Sequence, residues 1–359
     1  MNPFKRTFIN FNIFFFRGMK ILIEIDGSYG EGGGAVLRIA TALSALCTKP
    51  VKIFNIRSKR PKPGLMPQHL NAVKAVSELS NGKLSGLEIG STELKFQPGK
   101  LKPGKYSVDV KTAGSITLIL QAFMIPAAFA GGPVKITLVG GTDLRWSPSI
   151  DYFRNITVPI LRLMGYDVKT KLRKRGHYPK GGGILEVEIF SVSTLNPVNL
   201  IESNFNTIKG ISHAVNLPEH VAVRQAQSAG EIIKNEGFDV KIDIDHTDNS
   251  LGSGSGILLW TDGDIPLGGS SMGERGKRAE QVGYDAAKDL IRQIKGKSAL
   301  DSHMGDQIIP YMFIAGNSTI KTSELTHHTL TNIDVAGKFI KRRVAVKGEL
   351  GKPALITVK

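Results

Sequence analysis

Apolar positions along the chain switch between the two-residue period of half-buried strands and the wider spacing of helices. ILIEI, ending at Ile25, reads as a strand, and AVLRIATALSALC, after a glycine-rich stretch, has helical spacing. VKIFNIR reads as a second strand, QHLNAVKAVSEL as a helix and KYSVDVK as extended chain. SITLILQAFMIPAAFA predicts a helix buried on most sides, VKITLVGG a strand ending in glycines, and IDYFRNITVPILRLM another helix. YDVKTKLRKR and GILEVEIF flank the turn GHYPKGG as a basic hairpin. From about Ile201 the texture changes to strand-like TIKGISHAVNL, helical HVAVRQAQSAGEIIKNEG, the pair VKIDID and GILLWTD, and the helix RAEQVGYDAAKDLIRQIKG. The glycine-and-apolar texture of the first part then returns at Asp306. This alternation predicts an α/β chain carrying an insertion of roughly a hundred residues, the size of a small domain. No repeat of fixed short period is visible.

Composition adds a preference in partners. With 41% hydrophobic and 22% charged residues over 359 positions, the chain reads as soluble and globular. An excess of 47 Lys and Arg over 31 Asp and Glu gives a net charge of +16, which favours phosphate-rich partners such as nucleic acid or nucleotides. Cys47 is the single cysteine, so intrachain disulfides are excluded and a reducing, cytoplasmic location is expected. The leader MNPFKRTFINFNIFFFRG, residues 1–18, has neither the long apolar run nor the cleavage site of a signal peptide. It is expected to be a disordered extension or a wrongly chosen start, and no membrane span follows it.

Three segments carry candidate phosphate chemistry. IDGSYGEGGGAVLR formally contains GxGxxA after a strand, but Glu31 would repel a pyrophosphate at bare backbone N–H groups, and the next strand ends in Arg57-Ser58-Lys59-Arg60 instead of an acid. Gly296-Lys297-Ser298 imitates the end of a P-loop, yet Ile291 stands where the leading glycine is required. The carboxylate of Glu31 makes sense if it holds a divalent cation that bridges to phosphate oxygens; otherwise the stretch is a glycine-rich turn with an exposed glutamate. IRSKRPKPGLMPQH places Arg57 and Arg60 on a loop stiffened by Pro61, Pro63 and Gly64, with Gln68-His69 opening a helix. Guanidinium groups on a stiff loop suit bidentate phosphate capture, and a solvated basic loop is the plainer alternative.

Toward the C-terminus, His303-Met304-Gly305-Asp306-Gln307 and His327-His328 form the richest arrangement for chemistry. The second begins what reads as a polar turn, THHTLTN. The remaining five of eight histidines (His69, His177, His213, His220 and His246) are scattered and fit no metal-ligand spacing. Asp243, Asp245 and Asp248 mimic a calcium loop but lack its glycine and final glutamate, and read as a hairpin end. The basic hairpin Lys169–Arg175 suits either an RNA backbone or a solubilising edge.

IDGSYGEGGGAVLR, RPKPGLMPQH, AGSITLILQ, GGTDLRWSPSIDY, RGHYPKGGG, GDQ and HTLTNI, in that order between Ile21 and Arg343, resemble the RNA 3′-terminal phosphate cyclases. Departures are small: Trp146-Ser147 precede Pro148, and His303 stands where an aromatic residue is usual. The resemblance implies a larger domain of repeated βαβαββ units (19–200 and 300–359) with a smaller α/β domain inserted at 201–299. It further implies use of ATP and Mg²⁺ or Mn²⁺ to convert an RNA 3′-phosphate end to a 2′,3′-cyclic phosphodiester, with release of AMP and pyrophosphate. By the same resemblance His328, not His327, becomes adenylylated, Glu31 ligates the metal, and Arg38, Arg57, Arg60 and Gln68 hold phosphates or the RNA end. Gln121, Pro148 and His303, Met304, Gly305, Asp306 and Gln307 would contact ATP. The alternatives are a non-catalytic cyclase-like protein that binds ribosomal RNA, against which His328 argues, an enolpyruvyl transferase, and last an NADP-linked oxidoreductase.

Overall fold

A computed structural model describes residues 22–359, so the leader 1–18 lies outside the described residues. Strand β1 (Ile23–Asp26), helix α1 (Gly34–Cys47), β2 (Val51–Phe54), α2 (Pro67–Leu79), β3 (Lys83–Ser85) and β4 (Leu94–Gln97) form a βαβαββ unit. Its sheet runs β1-β2-β4-β3, the first pair parallel and the others antiparallel. The second unit repeats the scheme with β5 (Gly104–Asp109), α3 (Ile116–Ala127), β6 (Val134–Gly140), a helical stretch, β7 (Val168–Lys174) and β8 (Gly183–Ile189). That stretch joins α4 (Ile150–Tyr152), a π-helical turn (Phe153–Thr157) and α5 (Val158–Leu163). Again the order is first, second, fourth, third, with the same strand senses.

The third unit is split. It opens with the two-residue β9 (Asn199–Leu200), and resumes with α8 (Ser302–Gln307), α9 (Ile309–Ala315), β14 (Ser318–Thr322), α10 (His327–Phe339), β15 (Val344–Lys347) and β16 (Ala354–Val358). β9 pairs parallel with β14 and completes the sheet β15-β16-β14-β9, so the third unit obeys the pattern of the other two. Between its first strand and first helix lie β10 (Thr207–Val215), α6 (His220–Asn235), β11 (Asp239–Thr247), β12 (Gly254–Thr261), β13 (Gly268–Met272) and α7 (Ala279–Lys295). These make a fourth sheet, β11-β10-β12-β13.

Burial follows from the sequence period. β8 alternates along GILEVEI, with Leu185, Val187 and Ile189 inside and Glu186 and Glu188 on the other face, as a sheet covered on one side requires. α3 is buried almost throughout, as its nearly unbroken apolar run demands. One apolar core joins the three units, and the insertion packs chiefly around a second, built from Ile208, Ile233, Ile257, Leu259, Val282 and Leu290 among others.

The structure departs from the sequence reading at three places. THHTLTN is not a turn: Thr326 caps α10, accepting from Thr329 N–H at 3.0 Å, so His327 and His328 open a helix. VKIDID and GILLWTD do not pair, because β10 runs between them. Arg175, expected at the end of a basic hairpin that suits an RNA backbone or a solubilising edge, is only 3% exposed. Its guanidinium bonds Asp143 (3.1 Å), Asp151 (2.7 Å) and Asp245 of β11 (2.9 Å), fastening the insertion to the body. Beside it His177 and His213, separated by 36 residues and fitting no metal-ligand spacing in the sequence, bring their Nε2 atoms to 3.1 Å. Burial, with Arg175 nearby, pushes both imidazoles below their ordinary value. Arg175 holds Asp143 ionised despite its burial, whereas burial and the Asp143 charge raise Asp151.

Candidate active site

A cavity of about 1150 Å³ opens where the three units and the insertion meet. The N-termini of α1, α2 and α10 converge on it through Gly34, Pro67 and His328. Unpaired N–H groups and the positive ends of helix dipoles make such a meeting point favourable for anions. Arg38, Arg57 and Arg60 line the same wall and add formal charge.

Glycine brings the first loop against α10. Gly30 has φ +59°, and a Cβ there would lie 2.2 Å from Thr331 Oγ1, so a residue with a side chain is excluded twice over. This close approach sets Glu31 Oε2 2.8 Å from His328 Nε2, with Arg60 at 3.9 Å from the same oxygen. His327, the neighbouring residue, is exposed and does not line the cavity.

Asp306 decides where His328 stands. Burial raises its carboxyl, and Oδ1 accepts from the hydroxyls of Thr326 and Thr329. Asn332 Nδ2 donates to the Asp306 carbonyl at 2.9 Å. The GDQ and HTLTNI segments are thus two halves of one hydrogen-bonded joint, although Asp306 also borders the cavity. Gln307 faces the cavity and accepts from Thr157 Oγ1 at 3.3 Å.

The other expected positions separate into those at the wall and those behind it. Gln121 Oε1 accepts from Arg38 at 3.3 Å; with no carboxylate among the described residues in pairing distance, burial pulls the Arg38 guanidinium down to about 10, still charged at neutral pH. Arg57 spends two donor contacts on its own loop, at Lys62 O (2.6 Å) and Gly64 O (3.0 Å). Gln68, Pro148 and His303 line the cavity, the His303 ring standing edge-on to Tyr152 at 6.1 Å. Asp301 fixes that end of α8 by accepting from the His303 and Met304 N–H groups (3.0 and 2.9 Å) and from Tyr152 OH (2.6 Å). Met304 and Gly305 do not reach the cavity: Met304 is core, and Gly305 is pressed against Thr322. The Lys169–Arg175 hairpin stays outside as well, with Arg173 paired to Glu186 at 3.0 Å.

The sequence reading passed over three contributors. His69, counted among the scattered histidines, lines the wall; its Nδ1 accepts from Met66 N–H at 3.1 Å, and burial together with Arg38 and Arg57 pushes it down to about 3, so it is neutral. Its place inside RPKPGLMPQH was the available signal. Trp146, 86% exposed, stands at the cavity with the Arg145 guanidinium 4.6 Å from its ring centre. Ser270, Ser271 and Lys277 bring the insertion into the lining, a contribution no local pattern announces.

A family model described as RNA 3′-terminal phosphate cyclase matches residues 29–346. Proteins named RNA 3′-terminal phosphate cyclase are similar over 94% of this chain: one from Methanothermobacter thermautotrophicus is 49% identical over its full length. Others, from Methanopyrus kandleri and Pyrococcus furiosus, are 47% and 48% identical over 99% and 98% of their lengths. With βαβαββ units, a split third unit and motif segments gathered at one cavity, this chain belongs to the RNA 3′-terminal phosphate cyclase family.

Proposed function

We propose that this chain is an ATP-dependent RNA 3′-terminal phosphate cyclase that works through a covalent His328–AMP intermediate. The observation that carries the reading is the contact between His328 Nε2 and Glu31 at 2.8 Å, inside a cavity walled by Arg38, Arg57 and Arg60. A nucleophilic nitrogen, a carboxylate and a surplus of guanidinium groups are what nucleotidyl transfer requires.

In the first step the His328 ring attacks the α-phosphorus of ATP; an N–P bond forms, the bridging P–O bond breaks and pyrophosphate leaves. Attack needs a free lone pair on the reacting nitrogen, so the ring reacts as neutral imidazole with its proton on the other nitrogen, and Glu31, 2.8 Å from Nε2, orients the ring. In the second step an oxygen of the RNA 3′-phosphate attacks the adenylate phosphorus and the N–P bond breaks, restoring the imidazole. In the third the vicinal 2′-hydroxyl oxygen attacks the 3′-phosphorus, losing its proton, and AMP leaves with the 2′,3′-cyclic end behind. Activation is necessary because a phosphate monoester offers no acceptable leaving group of its own. Arg38, Arg57, Arg60 and Gln68 would hold phosphates of ATP or the RNA end, and Gln121, Pro148, His303 and Gln307 the nucleotide. Asp306 acts through the threonines that seat α10, while Met304 and Gly305 support the wall from behind.

Glu31 also fits a divalent cation such as Mg²⁺ or Mn²⁺, since it is a carboxylate bordering an open, arginine-rich cavity, whereas Asp306 is occupied by its hydroxyl donors. Such an ion would neutralise phosphate charge at the reacting end of ATP. The +16 net charge supports a polyanionic substrate.

Incubation with α-labelled ATP and Mg²⁺ tests the reading. Acid-labile, alkali-stable label is expected on the wild-type polypeptide and on His327→Ala, and none on His328→Ala. Label retained on His328→Ala would overturn the nucleophile assignment. A folded wild type that takes no label would favour a non-catalytic, RNA-binding role.

A further inference from the structure

The buried cluster joining the insertion to the body offers more ligand atoms than its hydrogen bonds use. Asp143 follows β6, His177 follows β7 and His213 lies on β10; they are 3%, 5% and 1% exposed, and a ligand atom from each lies within 4.8 Å of the others. Among the described residues, four side-chain atoms here have no hydrogen-bond partner: Asp143 Oδ1, Asp151 Oδ1, His177 Nδ1 and His213 Nδ1. Buried polar atoms are almost always paired, so four orphans in one pocket of the interior call for an explanation. Of the four, Asp143 Oδ1 belongs to the residue grouped with the two imidazoles, whose Nε2 atoms meet at 3.1 Å.

Charge leans the same way. Asp143, Asp151 and Asp245 surround Arg175, and Arg154 reaches Asp151 at 3.7 Å, which leaves three carboxylates facing two guanidiniums. The 3.1 Å separation of the two Nε2 atoms is close to the roughly 3.3 Å between two nitrogens on one tetrahedral ion with ~2.05 Å bonds. On the far side of its ring, His213 Nδ1 lies 4.0 Å from Asp151 Oδ2, the position of the carboxylate that commonly orients a metal-bound imidazole.

We propose that His177, His213 and Asp143 form a structural site for a zinc-like divalent transition ion that ties the insertion to the βαβαββ body. The two Nε2 atoms and Asp143 Oδ1 supply three ligands, and a water completes the set. This site is separate from the Glu31 position and does not depend on the reaction assigned above. Asp143 directly precedes Leu144–Pro148, which lines the cavity, so the ion would also steady that wall.

The test is titration of chelator-stripped, full-length protein with Co²⁺ alone, followed by displacement with Zn²⁺. Expected is one saturable equivalent with the intense visible bands of a tetrahedral ion, abolished by Zn²⁺ and unchanged in Glu31→Gln. His177→Gln and His213→Asn should each weaken binding by at least about a hundredfold, more than loss of an outer hydrogen-bond partner costs. A parallel melt should show Zn²⁺ raising the unfolding midpoint of wild type and Glu31→Gln but not of the histidine variants. Absence of a tetrahedral spectrum in wild type, or only weak octahedral bands that vanish in Glu31→Gln, would overturn the proposal even if a histidine variant failed to fold. So would undiminished Co²⁺ binding in folded His177→Gln.

Discussion

Alanine at position 30 would place a Cβ 2.2 Å from Thr331 Oγ1, whereas ordinary contact begins near 3.4 Å. The loop and α10 must therefore separate by roughly 1 Å, and alanine must also hold φ +59°, a left-handed conformation costing about 1–2 kcal/mol. Glu31 is the next residue, so the shift falls directly on its 2.8 Å contact with His328. A misplacement of about 1 Å at a reacting group costs about a hundredfold in rate. The structure also supplies a control. Removing the hydroxyl with Thr331→Ala leaves Thr331 Cβ, at 3.5 Å, as the nearest atom, an ordinary contact. Single-turnover formation of protein-bound AMP should then fall about a hundredfold in Gly30→Ala and recover to within about tenfold in Gly30→Ala/Thr331→Ala. The double variant should remain less stable than Thr331→Ala by only the backbone term, about 1–2 kcal/mol. Wild-type labelling in Gly30→Ala, or a double variant as slow as the single one, would refute the view that this glycine exists to bring the carboxylate against α10.

Other expectations follow from individual residues. His69 has its folded value depressed to about 3 from an unfolded value near 6.5, so the unfolded chain takes up the proton first as pH falls. Its stabilisation is complete above about pH 6.5 and is lost toward pH 3, and His69→Asn, which can still accept from Met66 N–H, should flatten that acid slope by about 2–3 kcal/mol at pH 4.5 in urea titrations. An unchanged slope would refute the burial argument. Arg175→Met leaves Asp143 and Asp151 buried without their cation and should cost about 3–5 kcal/mol in chemical unfolding; a loss under about 1 would contradict the bonding described. Asp306→Ala strands the hydroxyls of Thr326 and Thr329, costing about 1–3 kcal/mol and slowing labelling. Asp306→Asn keeps an acceptor oxygen and sheds a charge that burial disfavours, so it should fold as well as wild type and label within about tenfold. Equal labelling by the two Asp306 variants would exclude the seating role.

The elements were legible wherever a periodic apolar pattern outlasted its flanking residues. α1, α3, β6 and β8 stand where their patterns predict, because each can bury one face whatever its neighbours are. β9 was not legible: two residues carry no period, and Asn199–Leu200 is a strand only because β14 offers it an edge. THHTLTN read as a turn because its residues are polar, yet a threonine followed three residues later by a second hydroxyl is also a helix start, and Asp306 settles which one forms. At the site, Glu31, Arg57 and Arg60 stood out by residue type and loop context, whereas Arg38 and the choice of His328 over His327 came from the family resemblance. Met304 did not reveal itself as core, nor Arg175 as the buried centre of an acidic cluster.

By itself the sequence determined local matters: most of the longer strands and helices, and which loop carries guanidinium groups. These depend on side-chain period and backbone sterics within a few residues. Only the tertiary structure decided that Glu31 meets His328, that His177 meets His213 across 36 residues, and that the insertion closes the cavity wall. Such meetings depend on strand order and on burying a shared apolar core, and those are properties of the whole chain.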